Sequence, residues 1–576
     1  MDLKLIGAIP TARELAVVEA AAPAAIVEEV EGRIVRTSRD HRHRLLPVLD
    51  AVQSEIGYVS PGAIDAIATR LNVPPAEIFA VASFYALLST EPRPDVVVHV
   101  CDDTACRAVG SAGLLAEFAD RDDVVASPCL GQCDRRPAVF VQRAGREDSV
   151  VAPAHHQAVV DALAGTASDS PTPRVHRGPL LRRVGVVDPE SLEAYLDSGG
   201  YVALPKAIEM GPDAVITAIT SAGLRGRGGA AFPTGIKWRG VADQPDAEKY
   251  VVCNADESEP GTFKDRVVME GDPFALVEAL TIAGLTIGAG TGYIYVRGEY
   301  PVATRRLRRA IAQAVEAGWL GSNVGGSGRP FTIELRRGQG AYICGEQTAL
   351  FNSIEGFRGE PRQKPPFPTT HGLFGKPTVI NNVETLVNVV RIVEEGGEEY
   401  AASGTADSSG TRLWCLSGDV AEPGVYEVEF GATIREILDL AGGTVGDLGH
   451  LMVGGAAGTI VTADRLDERL TFEDSRTSGI PLGSGVLMAF SRDVDMVDIV
   501  RRIAQFFRDE SCGQCVPCRV GTVRVEEEVA RATRGAPVDV RLIDELDRAM
   551  KDSSICGLGH TAASVVRAAI DLGILR

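Results

Sequence analysis

No apolar run in this chain reaches the ~18 residues that a membrane-spanning helix needs, so a helical membrane protein is excluded. There is no surplus of positive charge either. The 58 Lys and Arg stand against 78 Asp and Glu, a net of -20, which repels nucleic acid and anionic membrane surfaces and argues against a polynucleotide partner. Residues 1–35 lack the basic region and continuous apolar core of a secretory signal. Thiols spaced for metal in a chain without export signals point to a reducing cytoplasm. What is left is an ordinary globular composition, 45% hydrophobic and 24% charged over 576 residues. That is too long for one core, and ~150 residues per domain predicts three or four.

Residues 42–88 read as helices from their apolar spacing, with Pro74 and Pro75 opening a helical stretch over 76–87 where a missing amide donor costs nothing. A β-branched run over 95–100 ends at Cys101, and another over 137–142 follows Cys133, so a small α/β unit carries cysteines on its loops. Residues 165–178 are rich in Gly, Ser, Thr and Pro and read as a linker. Beyond Tyr201, apolar runs over 250–252, 292–296 and 331–335 alternate with helical stretches over 275–285 and 303–317, which predicts a layered α/β domain. Residues 411–490 read as a compact α+β module with one helix over 433–441, and after Val494 the pattern is wholly helical. The resulting plan is an extension over 1–40, a helical and α/β unit over 41–164, the linker, an α/β domain over 179–405, an α+β module over 406–493 and a helical bundle over 494–576.

Eight of the eleven cysteines fall into two spacings. Cys101-x4-Cys106 with Cys129-x3-Cys133 presents four thiolates on two loops, enough for a 2Fe-2S cluster; zinc or plain structural cysteines are the alternatives. Cys512, Cys515 and Cys518 stand two residues apart, and Cys556 in SSICGLGH adds a remote fourth ligand, as a 4Fe-4S cluster requires; four thiolates also suit zinc. Cys253, Cys344 and Cys415 read as small core residues.

Between the clusters, GLRGRGGAAFPTGIKW (223–238) offers glycines that let backbone amides approach a phosphate or flat ring, and Lys237 adds a cation. Read as GxGxxG/A, it is not a standard dinucleotide fingerprint, because residues 213–221 before it look helical where a strand is required. VVCNADESEPG (251–261) places Asn254, Asp256, Glu257 and Glu259 in the loop after a strand, where α/β folds bind ligands and carboxylates accept from ribose or ribityl hydroxyls.

These segments, together with CNADESEPGTFKDR, GAYICGEQTAL, KPPFP, NNVET and ESCGQCVPCR, occur in the order seen in the NADH-oxidising module of respiratory complex I. Residues 42–162 resemble its thioredoxin-like 2Fe-2S subunit, and Tyr201 to the C-terminus resembles its flavin-bearing subunit. The resemblance implies a multidomain α/β and α+β fold: a helical plus thioredoxin-like 2Fe-2S domain, an FMN- and NAD-binding α/β domain, a β-grasp insert and a C-terminal helical 4Fe-4S bundle. It implies a non-covalent FMN held by Gly226, Gly228, Lys237, Asn254, Asp256, Glu257, Tyr342, Gly345, Glu346, Asn381, Asn382 and Thr385. It also implies NAD bound by Phe232 and Phe367 flanking the adenine, Glu259 near the nicotinamide, and Lys237 and Gln347. No side chain is needed as acid, base or nucleophile, since the cofactors carry the hydride chemistry and the protein orients them.

Two positions depart from the resembled pattern. Gln347 stands where the family has a glutamate facing the adenosine ribose, so discrimination against NADPH is expected to relax. Gly240 stands where the family often has an aromatic. Both subunits occur here in one chain, as in the diaphorase subunits of soluble NAD-dependent formate dehydrogenases and NAD-reducing hydrogenases. Formate dehydrogenase is the favoured expectation, with hydrogenase, or a non-catalytic cluster-bearing scaffold, as the alternatives. The partner would be a large catalytic subunit bearing further iron-sulfur clusters and a molybdenum- or tungsten-pterin, or a hydrogenase, site.

Overall fold

The computed structural model describes residues 7–23, 27–30, 33–36, 41–166 and 173–576. Part of the extension over 1–40 and residues 167–172 of the linker lie outside the described residues.

The predicted N-terminal helices form a cap of three, Leu45–Ile56, Pro61–Leu71 and Pro75–Ala82, against which the helix Ala12–Ala21 of the extension packs. Ser60 starts the second of the three by accepting from Ala63 N at 3.0 Å, with Pro61 in the first turn where no donor is lost. The helix expected over 76–87 stops at Ala82. Beyond it, the amides of Ala86 and Leu87 donate to Gly340 O and Gln339 O at 3.1 and 3.0 Å, and Tyr85 donates to Ser353 Oγ at 2.7 Å, so docking on the next domain replaces the last helical turn.

Next comes a four-stranded sheet in the order Val124–Ser127, Val96–Cys101, Val139–Arg143, Ser149–Val151, parallel in its first pair and antiparallel in the others. The β-branched run Val96 to Val98 makes the central strand and delivers Cys101 to its end.

The α/β domain is built on four parallel strands in the order Thr332–Arg337, Thr291–Val296, Tyr250–Ala255, Thr378–Asn382. The helix Pro273–Ile287 is buried along its whole length, which explains an apolar run with no polar face. Gly284 permits this packing, since a Cβ there would meet the Phe331 ring at 2.1 Å. Because all four strands run the same way, their carboxyl ends share one edge, and ligand-binding loops gather at such an edge.

The β-grasp module is a six-stranded sheet with the helix Ile434–Leu440, which Thr433 and Glu436 start with a capping box. Its outermost strand, Val175–His176, comes from the segment read as linker and pairs parallel to Val425 and Tyr426. Two residues are too few to carry an alternation signal, so the sequence reads there as loop. The bundle contains Met496–Asp509, Val516–Ala532, Val540–Ser553 and Ser564–Asp571. One continuous apolar core joins cap, α/β domain and bundle, while the β-grasp sheet has its own. No helix among the described residues is long and apolar enough to cross a membrane.

Candidate functional site

In the bundle, the four expected cysteines line one pocket, with Ile343 and Pro361 contributed by the α/β domain. Cys515 precedes the first turn of Val516–Ala532, Cys518 lies in that turn, and Cys556 precedes Gly557–Thr561. Helix N-termini favour negative charge, so thiolates are well placed there. Burial, helped by the neighbouring cysteines, pushes the Cys518 thiol up to about 11 and the Cys556 thiol to about 12. A cationic iron core is what would deprotonate them. Four thiols lining one pocket fit a 4Fe-4S cluster.

Cys101, Cys106, Cys129 and Cys133 are all buried together where the central strand meets its loops. Cys129 and Cys133 bring their sulfurs to 3.5 Å, and hydrogen bonds from Cys101 and Cys133 hold the Cys129 thiol well below its ordinary range. Four buried thiols gathered on two loops fit a 2Fe-2S cluster. Arg502 fixes this unit to the bundle, donating to Asp102 O at 2.8 Å and pairing with Asp103 at 3.3 Å.

The predicted flavin residues converge on the carboxyl edge of the parallel sheet. Gly226 N donates to Phe232 O at 3.0 Å and closes the glycine loop, while Arg227 N donates to Thr385 Oγ1 at 2.8 Å. A Cβ on Gly228 would lie 3.1 Å from Asn382, so the loop rests against that strand end. Asn254 Nδ2 donates to Gly345 O at 2.8 Å and ties two strand-end loops together. Asn381 accepts from the buried Trp238 Nε1 at 2.9 Å and so fixes the helix Thr234–Ala242 that carries Lys237. Tyr342 binds Glu510 through its amide at 2.9 Å and packs its ring on Phe506, placing it between these loops and the bundle.

Two groups in this cradle want a ligand. Lys237 donates to Ile380 O at 3.0 Å and meets no carboxylate among the described residues, and burial brings its ammonium down to about 8. Asp256 Oδ2 is buried without a hydrogen-bond partner, and burial lifts that carboxyl to about 8. A phosphate for Lys237 and a hydroxyl for Asp256 would satisfy both, so the residues present fit FMN.

Glu257 and Glu346 have other work. Glu257 accepts from Asp265 N at 2.8 Å, Arg266 N at 2.9 Å and Tyr300 Oη at 3.1 Å, which engages its carboxylate within the protein. Glu346 caps the helix Gln347–Ile354 through Thr348 N and Ala349 N and pairs with Lys364 at 2.6 Å. Sequence alone cannot separate such structural acids from ligand-facing ones in the same loop.

On the nucleotide side, Phe232 and Phe367 are 50% and 57% exposed, as rings awaiting a stacking partner would be. Glu259 is held by the β-grasp module, accepting from Ala457 N at 3.0 Å and Ser484 Oγ at 2.7 Å. Gln347 is half-buried at the first position of its helix. A Cβ on Gly240 would meet Thr369 at 3.8 Å, so Thr369 lines the space next to that departure.

Sequence reading missed Arg297, Glu299, Tyr300 and Arg266, which join the two cofactor regions. The first three occupy the loop after the strand Thr291–Val296, so the rule that singled out 254–259 would have found them.

Two cysteine cages on either side of a phosphate-ready cradle define a multi-centre electron-transfer protein. Comparison with known proteins agrees. Residues 219–391 match the Nuo51 FMN-binding domain, 32–164 the thioredoxin-like 2Fe-2S ferredoxin, 498–572 the iron-sulfur binding region of NADH-ubiquinone oxidoreductase and 414–451 the SLBB domain. An NADH-quinone oxidoreductase subunit of Aquifex aeolicus is 43% identical over 68% of this chain and 92% of its own. NAD-reducing hydrogenase HoxS subunit alpha of Cupriavidus necator is 35% identical over 92% of this chain and 90% of its own. The crystal structure of an NAD+-reducing NiFe-hydrogenase in the H2-reduced state superposes with a TM-score of 0.80 at 34% identity, covering 92% of both chains. The chain therefore belongs to the family of FMN- and iron-sulfur-bearing NADH-oxidising subunits, here with the thioredoxin-like 2Fe-2S domain in the same polypeptide.

Proposed function

We propose that this chain is the NAD(H)-side diaphorase subunit of a larger cytoplasmic complex, in which a partner subunit oxidises hydrogen or formate. The observation that carries the reading is the convergence of Lys237, Asp256 and the glycine loop on the edge that Tyr342 links to the bundle. When bound, FMN supplies the conversion between two-electron hydride chemistry and single-electron transfer. The chain's own residues do the rest: Lys237 holds the phosphate, Asp256 meets a hydroxyl, Phe232 and Phe367 flank the nucleotide, and the β-grasp module holds Glu259 in place.

Similarity across the fused chain to HoxS subunit alpha supports a hydrogenase-type partner. The formate reading is the second, supported by the complete set Cys101, Cys106, Cys129 and Cys133. NADP use is supported by a 42% identical relative from Solidesulfovibrio fructosivorans that is named as an NADP-reducing hydrogenase subunit. The test is anaerobic purification of the native complex, with NAD reduction measured under hydrogen and with formate. NADH-driven dye reduction is expected whichever donor works, and its absence in flavin-loaded protein overturns the diaphorase reading in favour of a scaffold.

Lys237 makes flavin binding pH-dependent. Burial lowers its ammonium to about 8 in the flavin-free chain, and a bound phosphate favours the charged form. Between about pH 7 and 8, where the phosphate is a dianion, affinity should change little, and above pH 8 it should fall by up to about tenfold per unit, because binding must then recruit a proton. Lys237→Met should weaken FMN binding about 10- to 150-fold at pH 7, the loss of one charged hydrogen bond, and remove the Lys237 share of that slope; Asp256, whose carboxyl burial also lifts to about 8, carries the remainder. Fluorescence titration of FMN into the flavin-free chain checks both; a slope undiminished in the variant assigns it elsewhere.

A further inference from the structure

The loop carrying Cys129 and Cys133 is bound to the loop after the strand Tyr250–Ala255 at three points. Arg297 is the first and most direct. Its guanidinium donates to Cys129 O at 2.7 Å and to Glu257 O at 2.7 Å, and it grips Glu299 through two further bonds of 3.0 and 3.2 Å. Tyr300 is the second: its hydroxyl reaches the Glu257 carboxylate, and its ring fills the space beside Gly131, where a Cβ would lie 2.0 Å from the hydroxyl oxygen. Third, Asp134 pairs with the fully buried Arg266 at 2.7 Å, and the amide of that same Arg266 donates to Glu257. Sequence separation makes this juxtaposition invisible before folding.

We infer that Arg297 is the positioning residue that sets the reduction potential of the 2Fe-2S cluster. A cluster gains one negative charge when reduced. Arg297 is only 2% exposed and carries a permanent charge at the carbonyl of a cluster ligand, so it stabilises the reduced state in a low-dielectric setting that does not screen it. Glu299, 6% exposed, opposes it, accepting from Nε and from the same Nη2 that donates to Cys129 O. Both charges are buried, and their effects on the cluster have opposite signs. Because the same guanidinium holds Glu257 O, the potential is set by the group that also fixes the flavin-side loop, which gives the 2Fe-2S branch a defined link to that site.

The experiment is a redox titration of the full chain, loaded with iron, sulfide and FMN, followed by the electron paramagnetic resonance of the reduced 2Fe-2S cluster. Arg297→Gln should lower the reduced-to-oxidised ratio at a fixed potential at least tenfold, about 59 mV for one electron. Glu299→Gln should raise it, and Arg297→Lys, which keeps the charge, should fall between Arg297→Gln and the unsubstituted chain. A merely structural role would not give opposite signs for the two neutral variants. Shifts in one direction, or ratios within twofold of the unsubstituted chain, overturn the inference. If Arg297→Gln loses its iron, Glu299→Gln and Arg297→Lys decide alone: no upward shift in the former overturns it. The inference rests on the four-cysteine 2Fe-2S assignment, and a fully loaded unsubstituted chain without a 2Fe-2S signal overturns that assignment and the inference with it.

Discussion

Replacing Lys264 by Met is expected to cost the α/β domain about 3–5 kcal/mol and to lower its melting temperature by roughly 6–20 °C. Lys264 is 1% exposed and stands between two buried carboxylates, Asp265 at 2.7 Å and Glu384 at 3.0 Å. Those acids in turn hold other parts together. Glu384 Oε1 accepts from Leu413 N at 2.9 Å on the β-grasp strand Thr411–Gly418, and Asp265 Oδ2 accepts from Asn382 Nδ2 at 2.6 Å at the flavin edge. Removing the cation leaves two uncompensated buried charges, which is the costly way to break such a group; an isolated surface pair would cost under about 1 kcal/mol. Adding Glu384→Gln to the Met variant should recover part of the loss, because one of the stranded charges is then neutral. Thermal unfolding followed by circular dichroism checks this, and a shift below about 2 °C would show that the site relaxes or admits water.

How much of this was legible beforehand varies with the kind of signal. The cysteine sets were legible because cluster chemistry demands several thiolates and their spacing is local for three of the four bundle ligands; only Cys556 is remote in sequence. The helices over 42–88 were legible from apolar periodicity and three of the four parallel strands from apolar runs, whereas the strand Thr378–Asn382 was not read. The end of the fourth helix at Ala82 was not, since hydrogen bonds from Ala86 and Leu87 to residues ~250 positions away override the local preference. The strand Val175–His176 was too short to show. At the cradle, loop position after a strand flagged Asn254, Asp256, Glu257 and Glu259 alike, yet only folding distinguishes Asp256, with an unpartnered oxygen, from Glu257, which three protein donors satisfy.

The β-grasp module shows the same dependence on long-range contacts. Arg412, buried on the strand Thr411–Gly418, donates to Gly483 O at 2.6 Å and so fixes the turn before Ser484, whose hydroxyl holds Glu259. That turn also lies against Gly229, with Gly483 O at 3.8 Å from an ideal Cβ there. One module therefore braces both the glycine loop and the acidic loop. Its contribution to the nucleotide site is positional, which is why nothing in its own sequence advertises it.

Gln347→Glu should raise the preference for NADH over NADPH about 5- to 150-fold, measured as the ratio of kcat/KM values in nucleotide-driven dye reduction. Gln347 occupies the first position of a helix whose N-terminal amides are capped by Glu346, and Lys364 neutralises that cap at 2.6 Å. The uncharged amide thus sits in a neutral pair's vicinity at the positive end of a helix dipole, a setting that tolerates an added phosphate. A carboxylate there would face the 2'-phosphate of NADPH. Unit charges ~4 Å apart interact by about 4 kcal/mol at an effective dielectric of 20, and the half-buried position discounts that to about 1–3 kcal/mol. NADH has no phosphate at that position, so the change acts through NADPH. Its ribose hydroxyl can be accepted by the Gln347 amide oxygen or by a carboxylate, so NADH turnover should move little. A ratio within twofold of the unsubstituted chain would show that Gln347 does not face the adenosine ribose.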